Sequence, residues 1–207
     1  MKESVLVFTR YPEPGKTKTR LIPVLGAVAA AELHRQMAER TLTQLREMQA
    51  YRDISVEVYF TGSDRQMMQD WLGSSIIYQK QSEGDLGLRM AKALQRAIAS
   101  GAEKVIIIGT DCPGLNSQLI AQAFDLLSQN QLVLGPALDG GYYLIGLLQF
   151  ISELFTDINW GTAEVLKQTM DIANNLNLSV AYLPALADVD LPEDLSVWQQ
   201  YEPHCNK

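Results

Sequence analysis

Histidine and cysteine are scarce in this 207-residue chain, which has only His34, His204, Cys112 and Cys205. Two cysteines are too few for a disulfide framework or a cysteine-rich zinc site. The shortage of histidine argues against Ser-His-Asp and Cys-His catalysis, each of which needs a well-placed imidazole base. His34 falls in a long helical stretch and His204 in the last four residues. No run approaches the roughly 20 apolar residues of a membrane span. The start, MKESVLVFTR, lacks a signal-peptide pattern, because its apolar stretch is short and is followed by a Pro-rich loop. The expected setting is the cytoplasm. Basic residues are also a minority, with 17 Lys and Arg against 24 Asp and Glu, for a net charge of −7. A nucleic-acid surface needs a basic face to displace counterions, so no nucleic-acid partner is expected. Chemistry must rest on carboxylates, lysines, arginines and, where needed, a metal.

What is present is an alternation of strands and helices. The length suits one large domain, residues 1–207. Short apolar, β-branched runs predict strands at Ser4–Thr9, Ile54–Thr61, Ser75–Tyr78, Lys104–Ile108, Gln131–Gly135, Tyr142–Leu147 and Ser179–Leu183. Helices are expected over Ala27–Met48, Arg65–Leu72, Leu86–Ser100, Ser117–Ser128, Phe150–Phe155 and Thr162–Leu176, with a short one opening near Pro192. This order predicts a parallel sheet covered by helices on both faces. The strands flanking Asp139-Gly140-Gly141 have no helix between them, so one should run antiparallel. Ligands of such sheets gather at the carboxyl ends of the strands, here the loops after Thr9 and Ile108.

Five segments could carry chemistry. In the first, Gly15-Lys16-Thr17 invites a P-loop reading, but the first glycine of G-x-x-x-x-G-K-[ST] would fall at Arg10, and Pro23 should interrupt the helix that must follow. Arg10, Lys16, Lys18 and Arg20 form either a solvated loop or a basic loop for a small anion. Gly15 would let backbone approach that anion, and the cations would bond its oxygens. The second is Asp111, at the end of the most apolar strand. It either caps a turn or holds Mg²⁺ against substrate phosphates. Cys112 beside it reads as a small buried neighbour rather than a nucleophile. The third, Asp139-Gly140-Gly141, is a hairpin turn or a set of groups facing substrate hydroxyls. The fourth holds Asp188 and Asp190 on one side of an extended segment, as further metal ligands or as the cap of the last helix. The fifth, Glu83 to Arg89, is a helix entry in which Asp85 or Arg89 could touch a ligand.

Together these blocks resemble the nucleotide-diphospho-sugar transferase superfamily, whose fold is called GT-A. Within it the resemblance is to a bacterial branch labelled as a glycosyltransferase associated with arsenosugar biosynthesis. The matching strings are FTRYPEPGKTKTRL (Phe8–Leu21), GDLGLRM (Gly84–Met90), GTDCPGL (Gly109–Leu115), DGGYYLIGL (Asp139–Leu147), WGT (Trp160–Thr162) and DVDLPEDL (Asp188–Leu195), spread in order over nearly the whole chain. The resemblance implies a single three-layer α/β/α domain with a mostly parallel mixed sheet. It also implies a nucleotide or nucleotide-sugar ligand, a small-molecule acceptor, and Mg²⁺ or Mn²⁺ as cofactor. Lys16, Lys18 and Arg20 match the nucleotide and phosphate loop, with Lys16 and Arg20 acting in catalysis beside Asp111. Asp111 matches the metal-binding acid, Asp190 the second metal ligand with Asp188 the alternative, and Asp139, Gly140 and Gly141 the segment facing sugar or acceptor. Leu191 stands where many relatives have Thr.

Three functions fit this reading. One is glycosyl transfer from a nucleotide-sugar, the function the label implies. Another is nucleotidyl transfer from a nucleoside triphosphate to a small phosphorylated acceptor, because the KTKTRL loop also resembles that of phospholactate guanylyltransferase-like enzymes. The third is nucleotide binding without catalysis, against which the carboxylates count. Glycosyltransferases of this fold usually carry a D-x-D string at the central strand end. Here position 109 is Gly, a departure toward nucleotidyl transfer.

Overall fold

The computed structural model describes residues 2–201; His204 and Cys205 lie outside them. Strand β1 (Glu3–Arg10) is followed by a 3₁₀ turn at Thr19–Leu21, the one-turn helix α1 (Ile22–Leu25) and the long helix α2 (Ala27–Gln49). Then come β2 (Ile54–Thr61), α3 (Arg65–Leu72), β3 (Ile77–Lys80), α4 (Leu86–Ala99), β4 (Lys104–Ile108) and α5 (Ser117–Leu126). The remainder is β5 (Leu132–Pro136), β6 (Tyr142–Leu147), α6 (Val165–Asn175), β7 (Val180–Tyr182) and α7 (Leu195–Trp198), with 3₁₀ turns at Ser152–Phe155 and Pro192–Asp194. All seven strands join one sheet in the order β3-β2-β1-β4-β6-β5-β7. Only β6 runs antiparallel to its neighbours β4 and β5, as the missing helix before it predicts.

Alternation along the strands builds two cores. Val5 and Val7 of β1, with Ile106 and Ile108 of β4, meet Leu45 and Met48 of α2 and Phe124 of α5. Leu6 and Ile107 point the other way, to Met90 and Leu94 of α4 and Ala173 of α6. Every residue of β4 is buried, which is why its sequence is an unbroken apolar run after Lys104. Lys104 itself sits at the entry of the strand, where its ammonium donates to the Phe124 carbonyl and Ser128 hydroxyl, each at 2.8 Å.

Four expectations shift. The third strand lies at Ile77–Lys80, two residues later than its apolar signal, because it is a four-residue edge strand with Ile77 half exposed. The helix expected from Phe150 is only a 3₁₀ turn, and the helix expected from Thr162 begins at Val165. Pro23 does not break a helix; it occupies the first turn of α1, where its missing N–H costs nothing. Among the described residues no helix is long and apolar enough to cross a membrane.

Phe124 has no exposed surface and packs between α5 and the sheet. Phe124→Ala is expected to lower unfolding free energy by about 3–5 kcal/mol. Urea titration of wild type and variant measures it, and a loss below about 1 kcal/mol would mean that this face of the core refills.

Candidate active site

The carboxyl ends of β1 and β4 lie side by side in the middle of the sheet, and a cavity of about 320 Å³ opens beside them. Its floor and walls are apolar: Phe8 from β1, Ile107 from β4, Leu86 and Met90 from α4, and Tyr142 from β6. Trp160 closes one side and meets the Tyr142 ring edge-on at 6.3 Å. Three carboxylates complete the lining, those of Asp111, Asp139 and Asp188, and among the described residues no Lys or Arg contributes.

Each carboxylate is delivered by a different piece of chain. Asp111 stands in the turn after β4, two residues beyond the strand's next neighbour Gly109. Asp139 is at the tip of the β5–β6 hairpin, where its Oδ1 accepts a 2.8 Å hydrogen bond from the Gly141 N–H. Gly140 at this tip has φ 91°, and its carbonyl accepts from the Leu166 N–H at 2.9 Å, fastening the hairpin to α6. Asp188 arrives on the segment after β7, held by the Val189 N–H donating to the Asp111 carbonyl at 2.9 Å. Burial, then the nearby charge of Asp139, pushes the Asp188 carboxyl above its ordinary range. The two carboxylates therefore face each other without enough positive charge between them.

The buried cation of the site is Lys18. Its backbone is left-handed (φ 49°, ψ 46°), which turns the side chain inward until only 4% of it is exposed. The ammonium lies 2.7 Å from Asp111 Oδ1 and 3.6 Å from Asp190 Oδ1, and donates to the Val189 carbonyl at 2.6 Å. Burial opposes its charge, but Asp111 and then Asp190 and Asp188 outweigh that and raise Lys18 above the ordinary lysine value. Burial likewise opposes the charge of Asp111, but Lys18 and then His34 outweigh it and hold the carboxyl below its usual range. About half of the Asp111 side chain remains exposed to the cavity.

His34, on the buried face of α2, is the neighbour that sequence reasoning missed. Its Nε2 donates to the Arg10 carbonyl at 2.9 Å. Nδ1 is then a bare lone pair in the neutral ring. It lies 3.9 Å from Asp111 Oδ1 and has no hydrogen-bond partner among the described residues. Burial holds the imidazole below its ordinary pKa against the pull of Asp111. The available signal was a lone histidine on an otherwise apolar helical stripe. Cys112 is buried, and burial together with the charges of Asp111, Asp188 and Asp139 pushes its thiol well up, so it is a protonated neighbour and no thiolate nucleophile.

The remaining sequence-predicted residues separate into two groups. Asp111, Asp139, Gly141 and Asp188 come together on the cavity, with Gly140 behind them. Asp190 does not line it; Arg20 donates to its Oδ2 at 2.6 Å, and Lys18 stands on its other oxygen. Lys16 is exposed in the loop after β1 and pairs with Glu13 at 2.9 Å. Gly15 takes φ 83° in the same loop. Arg10 is also exposed, its stem against Gly62. Asp85 caps α4 by accepting from the Leu88 N–H at 2.8 Å, and Arg89 bonds the Gly84 carbonyl at 2.8 Å and points away from the cavity. Among the described residues, no three His, Cys, Asp or Glu side chains are already arranged around a metal position. Mg²⁺ is commonly held by one or two carboxylates plus substrate phosphates. The under-neutralised carboxylates of this cavity fit an ion of that kind, arriving with phosphate.

Two measurements probe this geometry. A Cβ on Gly140 would overlap the Ala163 backbone at a left-handed φ. Gly140→Ala should therefore destabilise the fold by more than about 1 kcal/mol, which thermal or urea unfolding would detect. Lys18→Met removes the partner of Asp111. The depressed Asp111 carboxyl contributes stability that is full above the ordinary carboxylate pKa and is lost as pH falls through its lower folded value. The stability gap between wild type and variant should be steady near neutrality and close below about pH 4. A gap that stays constant from pH 7 to pH 2 would show that the pair contributes nothing.

Comparison with known proteins places this geometry. No curated protein matches the sequence. Residues 44–162 match the family described as "Uncharacterized protein conserved in bacteria (DUF2064)". The crystal structure of a provisionally assigned nucleotide-diphospho-sugar transferase from Desulfovibrio desulfuricans G20 is 34% identical, with a TM-score of 0.90 over 100% of this chain and 90% of that one. More distant in sequence is 4-diphosphocytidyl-2C-methyl-D-erythritol synthase from Anaerococcus prevotii (13% identical, TM-score 0.62, covering 97% of each chain). Glucosyl-3-phosphoglycerate synthase from Mycobacterium tuberculosis, solved with Mn²⁺, UDP and glucosyl-3-phosphoglycerate, is 14% identical with a TM-score of 0.56 over 95% of this chain and 75% of that one. The last two share the fold alone, whereas the family match covers more than half of the described chain and the first structure all of it. The three-layer architecture is thus that of the nucleotide-diphospho-sugar transferase fold, and the chain belongs to the DUF2064 family.

Proposed function

We propose that the protein is a metal-assisted transferase that moves a sugar from a nucleotide-sugar donor to a small-molecule acceptor. One observation carries this reading: among the described residues, the cavity beside β4 is lined by three carboxylates and aromatic rings and by no cation. Carboxylates accept hydrogen bonds from sugar hydroxyls, and the rings of Trp160 and Tyr142 offer apolar faces to a sugar. A phosphorylated acceptor would instead meet like charge. The exposed cations of the loop after β1 stand outside the cavity, Lys16 paired with Glu13 and Arg20 with Asp190, and both are more than half exposed. That is where the diphosphate of a donor would lie.

Asp111 and Asp188 are the proposed metal ligands. Asp188 takes precedence over Asp190 because it faces the cavity, while Asp190 is occupied by Arg20 and Lys18. A divalent ion bound there neutralises charge on the departing phosphate oxygens. The chain's own residues do the rest. Lys18 fixes the Asp111 carboxylate, Asp139 on its hairpin tip accepts from the sugar hydroxyls, and the apolar floor excludes water, strengthening each polar contact. Nucleotidyl transfer remains the second reading, favoured by Gly109, which leaves Asp111 without a D-x-D partner on the β4 end.

Incubation with nucleotide-sugars or nucleoside triphosphates, with Mg²⁺ or Mn²⁺, separates the two. Release of a nucleoside diphosphate is expected, and release of pyrophosphate from a triphosphate would overturn the glycosyl reading. Asp111→Asn and Asp188→Asn should each lose several kcal/mol of transition-state stabilisation, about a hundredfold or more in turnover. Asp190→Asn should lose less. If Asp190→Asn is the silent enzyme and Asp188→Asn turns over normally, the ligand assignment is reversed.

A further inference from the structure

A second recess, of about 200 Å³, lies on the other flank of α4 between that helix and the edge strand β3. Arg89, Lys92 and Arg96 recur at three- and four-residue spacing and form one basic stripe along α4. Lys80, the last residue of β3, faces the stripe. Among the described residues none of these four cations forms an ion pair. On a chain of net charge −7, such an accumulation is not the average surface. Two hydroxyls complete the lining, those of Tyr59 and Ser82. Both oxygens are buried without a hydrogen-bond partner among the described residues, and Tyr59 is only 4% exposed. A buried polar atom left unpaired is costly unless something pairs with it. Burial, then the charge of Glu57, pushes the Tyr59 phenol up to about 12 against the pull of Arg96, and the Glu57 Oε2 beside it is also buried without a hydrogen-bond partner among the described residues. A single carboxylate does not balance four cations.

We infer that this recess is a separate binding site for a small phosphate-bearing ligand, held by Lys80, Arg89, Lys92 and Arg96 with the Ser82 and Tyr59 hydroxyls. Cations and hydroxyl donors converging on a concave surface are the groups that bond phosphate oxygens. The recess has room for a phosphate with a small organic portion and none for a wrapped polymer. Its position gives it a route to the first cavity, because Leu86 and Met90 on the adjacent face of α4 line that cavity. The site stands independently of the transfer reaction, since none of its six residues lines the acidic cavity.

The test uses the full chain labelled with ¹⁵N and titrated with inorganic phosphate, then pyrophosphate, at ionic strength matched with sodium chloride and without metal or nucleotide. Saturable amide shifts are expected at Ser82, Lys92, Ala93 and Arg96. Lys92 and Arg96 are exposed, so the double variant Lys92→Ala/Arg96→Ala should keep the wild-type spectrum elsewhere. It should weaken this binding by about tenfold or more per lost charge-assisted bond, leaving any shifts in residues 15–20 unchanged. Shifts confined to residues 15–20, shifts that never saturate, or an affinity unchanged in the double variant would each overturn the proposal. None of these outcomes depends on whether the other cavity transfers a sugar.

Discussion

The Lys18 ammonium is the point on which the site depends. It touches Asp111 at the end of β4, Asp190 on the segment after β7, and the Val189 carbonyl between the two acids of that segment. Three stretches far apart in sequence are tied by one buried charge. The cost of burying it is offset only because two carboxylates and a carbonyl surround it. Remove the ammonium, and the acids it separates repel one another. The Val189 N–H to the Asp111 carbonyl is the neutral half of the same tie. Through it, the chain's late segment adds Asp188 to a cavity otherwise made by earlier strands.

This arrangement also divides positive charge by depth. Lys18 is inside and fully engaged, so its role is structural and electrostatic. Arg20 and Lys16 are outside, each with only a carboxylate that a phosphate could displace. A basic loop that looked uniform along the sequence is therefore two kinds of residue in space. The left-handed turn at Lys18 makes the difference, because it reverses the direction of one side chain against its neighbours.

Much of this was legible from the residues. The burial of β4 follows from Lys104–Ile108 being apolar throughout its interior, and the antiparallel β6 from the short span across Asp139–Gly141. Asp111 had to lie at a strand's carboxyl end, and the sheet's central position followed from the alternation around it. What was not legible depends on tertiary partners. Periodicity says nothing about where a loop lysine points, so Lys18 and Lys16 were indistinguishable. Asp188 and Asp190 alternate on an extended segment and share a side, and only the presence of Arg20 beside one of them separates their roles. Asp85 and Arg89 match a ligand loop in sequence, yet one caps α4 and the other turns to the edge recess. The β3 edge moved because a short strand exposed on one side carries little apolar signal.

The distribution of polarity finally constrains the chemistry more than any single residue does. A cavity with an apolar floor has a lower effective dielectric than water, so each charge at its rim acts strongly. Three carboxylates there repel an incoming anion and welcome hydroxyls or a cation. On the reading we propose, the phosphates of a donor would stay outside, on the side of Arg20 and its partner Asp190, while its uncharged portion enters. On that same reading, the bond joining sugar to phosphate would sit at the boundary between the two regions, beside Asp111. The boundary exists because β4 ends there: its apolar residues make the floor, and the first charged residue after it, Asp111, makes the rim. A single strand end thus sets both the fold's central packing and the line at which charge changes sign.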